Sequence, residues 1–513
     1  MIKKILKPIL NRLFLVGFFV LLQIVLIWAL FTYLSNNYFY ISIIMTGISF
    51  LVVIYLLNKR GNPTYKMAWI VPIIAFPVVG GLFYLIIQFQ TIGKTYRRRM
   101  GKIQQESVPY LEQDNDIVES IEQDDPHVAA AVRYISRWGK YRAVKNTRTR
   151  YLPSGEEKWR VMLDELEKAE RYIYLEYFIV DKGIMLNSVL DILKRKVADG
   201  VDVRFMYDGM GSISNLPGNF PKLMKKMGIK CKVFSPFVPF LSAYQNNRDH
   251  RKICVIDGRV AFTGGINIAD EYVNIESRFG HWRDTAVMVE GEAAFDFAVM
   301  FLQMWRMADL EPVDYAACMP SQKDAKAFSG DGYVMAYADS PVDDENVSEF
   351  VYLHIINTAT KYVYITTPYL ILDYNILLAL CNASKRGVDV RIIIPEIPDK
   401  WYTQSVAISY LEELIEDGVR IYKYMPGFIH SKTFVSDGTM AVVGTINLEY
   451  RSLYLHYECA AFMYKSEAVK EVYDDFVHVM DTFCHEVSLQ ESRQVNIFRR
   501  ILNLVLRLFA PLM

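Results

Sequence analysis

The chain reads HRKICVIDGRVAFTGGIN at residues 250–267 and HSKTFVSDGTMAVVGTIN at residues 430–447, 180 positions further on. Both stretches fit the pattern H-x-K-x4-D-x6-G-[GT]-x-N without a gap. In each copy an apolar run, an Asp-Gly turn and a second apolar run predict two adjacent antiparallel strands. The shared polar positions are His250, Lys252, Asp257 and Asn267 in the first copy and His430, Lys432, Asp437 and Asn447 in the second.

The pattern combines the residue types that chemistry at a phosphodiester requires. An imidazole can attack phosphorus, a lysine ammonium can stabilise the charged oxygens, and an amide can donate a hydrogen bond beside them. A histidine and a lysine two residues apart on a strand project from the same face. In-line displacement also needs a proton donor opposite the nucleophile, so one copy alone is incomplete. Two copies therefore predict one site shared by two pseudo-symmetric halves.

The duplication extends beyond the motifs. The sequence RYIYL at 171–175 resembles KYVYI at 361–365, and GVDVR at 200–204 recurs at 387–391. Each half reads as an apolar strand, an amphipathic helix, a turn with a second strand, another helix and then the motif. Such alternation predicts an α/β fold of two pseudo-symmetric halves, with mostly parallel or mixed sheets flanked by helices, after an N-terminal helical membrane region.

Composition limits the class of protein. Hydrophobic residues make up 52% of the 513 residues and the mean hydropathy is +0.12, which is high for a purely soluble enzyme. Lys+Arg and Asp+Glu both total 57, so the formal net charge is zero. A nucleic-acid-binding protein usually carries a basic surplus, so this balance argues against nucleic acid as a partner. The six cysteines are scattered without a C-x-x-C pair, which favours a reduced compartment.

The N-terminal region carries the hydrophobic surplus. Residues 13–34 contain no charge and are long enough to span a bilayer, given roughly 20 apolar residues per crossing, and residues 39–57 form a second candidate. A third apolar stretch at 67–89 contains two prolines and two adjacent glycines, which is typical of a broken helix. Basic clusters flank these stretches, and the positive-inside rule places all the clusters in the cytoplasm. Two crossings with a re-entrant or interfacial third segment satisfy the rule; three full spans are the alternative.

The chain is thus predicted to have five parts. These are a membrane anchor at 1–95, a helical linker at 96–145, a first half at 146–325, a second half at 326–490 and a C-terminal amphipathic helix at 491–513. In the last part apolar residues recur at helical spacing among four arginines, which is typical of a helix at a membrane interface. A helix packed on the catalytic domain is the alternative.

The paired motif resembles that of the phospholipase D superfamily, and its context resembles the bacterial cardiolipin synthases. The second resemblance covers nearly the whole chain from about residue 35, and it rests on the stretches NPTYKMAW at 62–69, EYF at 176–178, GGINIADEY at 264–272 and PGFIHSK at 426–432. It implies transfer of a phosphatidyl group from one phosphatidylglycerol to another, giving cardiolipin and glycerol. The implied partners are phosphatidylglycerol and anionic membrane lipids, and the implied location is the bacterial plasma membrane, multi-pass, with the catalytic part at the cytoplasmic face.

The same resemblance implies roles for the site residues. One histidine forms a phosphohistidine intermediate, and the other protonates the departing alcohol and then activates the incoming one. By analogy His250 is the nucleophile and His430 the general acid/base, although the symmetry permits the reverse. Side chains that stabilise phosphate oxygens are expected at Lys252, Lys432, Asn267 and Asn447. These cations and amides occupy the electrostatic role of a metal, so neither a metal nor another cofactor is expected.

Four acidic residues complete the candidate set. In the superfamily an acid after each motif orients a histidine, and the candidates are Asp284 in the first half and Glu458 in the second. Asp257 and Asp437 belong to the catalytic motif itself, but their positions at turns predict a structural and not a chemical role. The sequence leaves the oligomeric state open.

Other functions share part of this pattern. A hydrolytic membrane phospholipase D uses the same intermediate with water as the acceptor, and a related phosphatidyltransferase of the phosphatidylserine synthase type uses another alcohol. A membrane-bound nuclease is disfavoured by the neutral charge and by the lack of a basic stretch interleaved with aromatic residues. An inactive membrane organiser is disfavoured because both motifs are intact.

Overall fold

The fold was analysed in a computed structural model, which describes residues 12–37, 39–77, 79–88, 92–236, 243–321, 327–343, 345–494 and 496–512. The N-terminal region contains the helices α1 Arg12–Asn37, α2 Phe39–Asn58, α3 Pro63–Ala75 and α4 Gly80–Gln88. Within the described residues, α2 is the helix with the length and apolar character of a membrane span, and Ile24–Leu34 is a shorter apolar stretch within α1. The basic residues Lys3, Lys4 and Lys7, predicted to precede the first span, lie outside the described part.

The third apolar stretch is broken, as its prolines and glycines predicted. Helix α3 ends at Ala75 and α4 begins at Gly80. The turn between them packs against α2, where the Ser49 hydroxyl donates to the carbonyl of Pro77 and accepts from the amide of Gly81 at 3.1 Å. A side chain on Gly81 would collide with Ser49, which explains the glycine. Because each helix is shorter than the roughly 20 residues of a crossing, neither spans a bilayer alone.

Three helices connect the membrane region to the duplicated part of the chain. They are α5 Ile92–Ser107, α6 Asn115–Asp124 and α7 Pro126–Tyr134. Asp114 and Asp125 cap the second and third of these helices by accepting backbone N–H groups at their first turns. Buried contacts fix this connector to the body of the protein, including a hydrogen bond of 2.8 Å from Gln303 Nε2 to Ser107 Oγ.

The first half is built on a seven-stranded sheet with the order β1-β9-β7-β6-β2-β3-β4. The strands of this part of the chain are β1 Thr147–Leu152, β2 Tyr172–Tyr177, β3 Asp202–Asp208, β4 Lys230–Phe234, β5 Arg248–Asp249, β6 Lys252–Ile256, β7 Val260–Gly264, β8 His281–Arg283 and β9 Ala286–Gly291. The helices are α8 Gly155–Leu166, α9 Ile184–Ala198, α10 Phe220–Lys226 and α11 Glu292–Asp309. Helix α11 is buried along most of its length and forms the centre of the core.

The second half repeats this arrangement around the order β10-β19-β17-β16-β11-β13-β14-β20. Its strands are β10 Tyr333–Asp339, β11 Tyr362–Thr366, β12 Leu370–Ile371, β13 Asp389–Pro395, β14 Arg420–Tyr424, β15 Gly427–Ile429, β16 Thr433–Ser436, β17 Met440–Gly444, β18 Leu448–Glu449, β19 His456–Tyr464 and β20 Cys484–Glu486. Its helices are α12 Val347–Thr358, α13 Tyr374–Lys385, α14 Trp401–Glu416, α15 Tyr450–Tyr454, α16 Glu467–Phe483 and α17 Leu489–Arg493.

Both sheets are mixed, and the motif is the reason. Strands β2, β3 and β4 are parallel neighbours, as are β11, β13 and β14. Each motif contributes the predicted antiparallel pair, β6 with β7 and β16 with β17. The strand that follows the motif, β9 or β19, is antiparallel to the second strand of that pair. The parallel part of each sheet is therefore three strands wide, and the hairpin joins it to further antiparallel strands, β9 and β1 in the first sheet and β19 and β10 in the second.

Short strands join the two halves to each other. Strand β5, directly before the first motif, pairs in parallel with the start of β19 in the second half. Strand β15, directly before the second motif, pairs in parallel with β8 of the first half. Each motif histidine directly follows one of these strands, so the strand pairs hold the two motif segments against the opposite halves.

The last helix, α18 Ile497–Leu508, packs on α14 with one face and exposes the other. The guanidinium of Arg507 lies 4.1 Å from the centre of the Tyr410 ring, and Asn503 is buried. On the opposite face Phe498 is 79% exposed, among other exposed apolar residues. The helix therefore packs on the domain, as one alternative predicted, and it also presents an exposed apolar stripe.

Candidate active site

Backbone pairing across the halves positions the two motif histidines. The amide of His250 donates to the carbonyl of Tyr457 at 3.0 Å, which extends the pairing of β5 with β19. The amide of His430 donates to the carbonyl of Arg283 at 2.7 Å, which extends the pairing of β15 with β8. His250 therefore lies against β19 of the second half, and His430 lies against β8 of the first half.

The orienting acids act across the same boundary. The Nδ1 atom of His250 lies 2.9 and 3.0 Å from the two carboxylate oxygens of Glu458, and Nδ1 of His430 lies 2.6 Å from Oδ2 of Asp284. The structure brings both predicted acids to a histidine ring, but each acid serves the histidine of the other half. The crossed arrangement follows from the cross-half strand pairs, which sequence order alone does not reveal.

The environment of both imidazoles favours their neutral form. Burial lowers the pKa of His250 and of His430 well below the ordinary value, and the nearby ammonium groups of Lys252 and Lys432 lower it further. A neutral ring that donates from Nδ1 to a carboxylate carries its lone pair on Nε2. Each ring is therefore prepared to act as a nucleophile or a base through Nε2.

The motif lysines are buried beside their histidines. Lys252 Nζ donates to the carbonyl of His250 at 2.5 Å, and Lys432 Nζ donates to the carbonyl of His430. Burial lowers the pKa of Lys252 to about 8 and that of Lys432 to about 7. Each ammonium retains further N–H groups, so an anion that enters the site would gain two poorly solvated cations as partners.

The two orienting carboxylates differ in their other contacts. Asp284 Oδ1 accepts from the amide of Thr285 at 2.8 Å, and burial raises the pKa of Asp284 to about 7. Glu458 accepts a hydrogen bond from the hydroxyl of Thr445. That threonine occupies the motif position that is Gly265 in the first half.

The motif asparagines face the same cavity as the histidines. Asn267 Nδ2 donates to the Tyr272 hydroxyl at 2.8 Å, and its Oδ1 accepts from the amide of Ile179 at 2.9 Å. Asn447 Nδ2 donates to Glu449 Oε1 at 2.7 Å. An amide nitrogen carries two N–H groups, so each asparagine keeps one donor beyond these contacts.

The structure does not bring Asp257 and Asp437 to the cavity, although both belong to the motif. The Asp257 carboxylate accepts from the amides of Glu170, Arg171 and Tyr172, each at 2.8 Å. The Asp437 carboxylate makes the matching contacts at the start of β11, at 2.7 to 2.9 Å. Each aspartate ties the motif turn to the neighbouring strand. These two members of the candidate catalytic set therefore stabilise the fold.

One cavity of about 640 Å³ contains the assembled site. Its volume is of the size that holds a small-molecule ligand or a lipid headgroup. Polar residues from both halves line it, and they include His250, Asn267, Lys400, His430, Asn447, Glu449 and His456. Phe178, Tyr272 and Trp282 supply aromatic walls. Both motif histidines therefore line the same cavity.

Several of these residues were not singled out from the sequence. His456 and Trp282 each stand two residues before an orienting acid, and their rings lie 5.3 Å from those of His250 and His430 respectively. The equal offset from Glu458 and Asp284 was a signal that could have identified both positions. Among the described residues, His250, His456 and Glu458 also form a group that could hold a metal ion, with ligand atoms within 4.8 Å of one another.

The two sheets, the crossed histidine–acid pairs and the shared cavity define a duplicated phosphodiester-transfer fold. A family model described as "Cardiolipin synthase, PLD-like domain" matches residues 162–305 and 352–480, and a model described as "Phospholipase_D-nuclease N-terminal" matches residues 47–88. The chain belongs to the family of cardiolipin synthases with phospholipase D-like domains.

Related proteins match over almost the whole chain. A cardiolipin synthase of Alkalihalophilus pseudofirmus is 34% identical over 516 residues, which cover 98% of this chain and all of that protein. An uncharacterized protein of Streptococcus mutans serotype c is 43% identical over 461 residues, which cover 90% of this chain and 99% of that protein. The crystal structure of phosphatidylserine synthase from Haemophilus influenzae is similar in fold, with a TM-score of 0.54 at 14% identity over 71% of this chain and 93% of that one.

Proposed function

We propose that the protein is a cardiolipin synthase, which transfers a phosphatidyl group from one phosphatidylglycerol to another through a phosphohistidine intermediate. The observation that carries the proposal is the crossed pairing of His250 with Glu458 and of His430 with Asp284 on one cavity. This arrangement provides one nucleophile and one proton carrier for the same phosphorus atom. The named relatives support the choice of phosphatidyl chemistry within the family.

In the first half-reaction His250 Nε2 attacks the phosphorus atom of a bound phosphatidylglycerol. A phosphodiester anion in the cavity favours the protonated form of His430, which then donates its Nε2 proton to the departing glycerol oxygen. The bond from phosphorus to that oxygen breaks as the bond from nitrogen to phosphorus forms. Glycerol leaves, and His430 is left neutral.

In the second half-reaction a hydroxyl of another phosphatidylglycerol attacks the phosphohistidine. Neutral His430 accepts the hydroxyl proton, the bond from nitrogen to phosphorus breaks, and cardiolipin is released. The proton lent in the first step is thereby recovered, so the cycle needs no additional acid or base. Assignment of the nucleophile to His250 rests on analogy, and exchange of the two roles gives the same products.

The cations and amides of the site support both steps. The ammonium groups of Lys252 and Lys432, with the spare N–H groups of Asn267 and Asn447, would stabilise the negative oxygens of the five-coordinate transition state. The buried position of both lysines strengthens this effect, because water does not screen their charge.

Membrane association is supported by α2, the one helix among the described residues with the length and apolar character of a span. The multi-pass arrangement at the bacterial plasma membrane is our proposal: α1 and α2 would form two crossings, the broken α3–α4 segment would be re-entrant or interfacial, and the catalytic part would lie at the cytoplasmic face. The exposed apolar stripe of α18, with its flanking arginines, would lie on the anionic headgroups. Phosphatidylglycerol would then reach the cavity from the bilayer, where its high local concentration favours a lipid alcohol over water.

The test uses purified full-length protein in detergent–lipid micelles with a metal chelator. Phosphatidylglycerol labelled in its headgroup glycerol is supplied, and lipids and released glycerol are separated. The proposal predicts cardiolipin and labelled glycerol in equal amounts. Phosphatidic acid with glycerol would instead identify a hydrolase, and absence of turnover in every lipid tested would contradict phosphatidyl transfer. The variant His485→Asn, which changes an exposed histidine paired with Glu491, is the matched control.

A further inference from the structure

The two halves differ at one position beside the catalytic rings. His456 stands two residues before Glu458 and contacts His250, whereas Trp282 stands two residues before Asp284 and contacts His430. The ring centres are 5.3 Å apart in both pairs. One half thus places an indole at this position, and the other half places a third imidazole in the cavity. The proposed two-histidine mechanism does not use that third ring.

His456 is buried without a hydrogen-bond partner in the described part of the protein. It is 6% exposed, and neither of its ring nitrogens has a partner. Its Nδ1 lies 3.6 Å from Glu458 Oε1, which is longer than a hydrogen bond. Burial of an imidazole without a partner costs free energy, so such a ring in a cavity indicates a ligand that the ring can bind.

The neighbours of His456 have the chemistry and spacing of a transition-metal site. Glu458 Oε1 lies 2.9 Å from Nδ1 of His250 and 3.6 Å from Nδ1 of His456. Zinc bonds of about 2.0–2.2 Å to nitrogen and oxygen place neighbouring tetrahedral ligands roughly 3.3–3.5 Å apart. A small opening between His250 and Glu458 therefore suffices to admit an ion. Two imidazoles and one carboxylate are also a common ligand set for zinc.

We infer that His250, His456 and Glu458 form an inhibitory site for a divalent transition ion such as Zn²⁺. Both histidines line the cavity, so the fourth coordination position faces it and can hold water or a phosphate oxygen. The equivalent trio in the other half cannot bind an ion in this way, because Trp282 offers no lone pair. The site is thus specific to one of the two catalytic histidines.

Inhibition follows from the tautomer of His250. An ion bound at Nδ1 takes the lone pair there and replaces the proton shared with Glu458. The single N–H proton of the neutral ring, displaced from Nδ1, then lies on Nε2, which can no longer attack phosphorus. The buried ammonium groups of Lys252 and Lys432 lie close enough to His250 to lower its pKa, and their charge also opposes a cation. We therefore expect reversible inhibition by added ion and not a permanently bound one. This inhibitory effect, unlike the binding itself, rests on the proposed function.

Binding is tested without lipid substrate, by titration of the purified full-length protein with Co²⁺ after treatment with a chelator. We expect one equivalent per chain to give the visible absorption of four-coordinate cobalt without a thiolate charge-transfer band. Zn²⁺ should displace the cobalt. His456→Asn and Glu458→Gln should each weaken binding at least about 100-fold, since loss of an outer-shell partner already costs about 10–100-fold. His485→Asn should leave the titration unchanged.

Two outcomes would overturn the inference: no stoichiometric cobalt spectrum in the wild type, or a spectrum that both site variants retain. Two variants at different ligand positions, His456→Asn and Glu458→Gln, are used so that failure of one variant to fold does not decide the result. The transfer assay is then run with increasing Zn²⁺, and inhibition reversed by a chelator is expected. A protein that binds cobalt in this way but transfers no phosphatidyl group would refute the proposed function and keep the metal site.

Discussion

The two motif histidines have the same backbone setting but different neighbours. His250 is bonded to Glu458 and lies beside His456, whereas His430 is bonded to Asp284 and lies beside Trp282. In both cases the acid and the aromatic neighbour come from the opposite half. The duplicated halves are therefore not two independent sites. Each half supplies a histidine whose hydrogen-bonded acid comes from the other half, so the two halves form one site.

The largest effect is expected when either ring is removed. His250→Ala and His430→Ala should each lower the rate of cardiolipin formation by at least about 10⁴-fold, because catalytic residues that act as a unit fail together. Turnover is measured with labelled phosphatidylglycerol, and circular dichroism checks that each variant is folded. If only one of the two variants lost activity, one histidine would suffice, and the claim that both halves are needed would be contradicted.

Removal of an orienting carboxylate should be the next largest effect. Glu458→Gln and Asp284→Asn should each lower turnover by about 10²-fold to 10⁴-fold, because the ring loses its preferred tautomer. Rapid-quench measurements separate the two half-reactions. With His250 as nucleophile, Glu458→Gln should slow covalent attachment, and Asp284→Asn should slow the proton transfers that depend on His430. Both acids acting on the histidine of their own half would reverse this pattern.

Deprotonation of the motif lysines should make kcat/KM fall at basic pH. The pKa of Lys432 is lowered to about 7 and that of Lys252 to about 8, so the ammonium groups of the free enzyme are lost as the pH rises through this range. We expect kcat/KM to fall up to about tenfold per pH unit between the two pKa values, and more steeply above about 8, where both ammonium groups are lost. Lys432→Arg keeps its charge at every accessible pH and should move the fall toward the pKa of Lys252. An unchanged profile in Lys432→Arg would assign the limb to another group.

The smallest effect on turnover is expected at the turn aspartates. Asp257→Asn and Asp437→Asn should lower the free energy of unfolding by about 1–3 kcal/mol, because several backbone N–H groups lose a charged acceptor. The remaining folded protein should keep its kcat within about threefold, as neither carboxylate faces the cavity. Thermal unfolding and assays below the transition measure the two quantities. A large fall in kcat without loss of stability would place these residues in the chemistry.

Local features of the fold were predictable from the sequence. The hairpin of β6 and β7 follows from its Asp-Gly turn. The break between α3 and α4 follows from Pro77 and the glycines Gly80 and Gly81. Both signals act over a few residues. The crossed pairs were not predictable in this way. His250 and Glu458 are 208 residues apart, and the strand pairs that join them are only two residues long. So short a pairing leaves no periodic pattern, and the place of His456 in the cavity depends on it.

Trapping of the covalent intermediate shows directly whether a motif histidine carries the phosphatidyl group. His430→Ala is mixed with phosphatidylglycerol, quenched in base to preserve the bond from nitrogen to phosphorus, and mapped by mass spectrometry. We expect a phosphatidyl group on His250 in His430→Ala and no adduct in His250→Ala. An adduct on His430 in His250→Ala, together with no adduct on His250 in His430→Ala, would only exchange the two roles. An adduct on any residue other than these two histidines would contradict the phosphohistidine intermediate, as would full wild-type turnover without a histidine adduct.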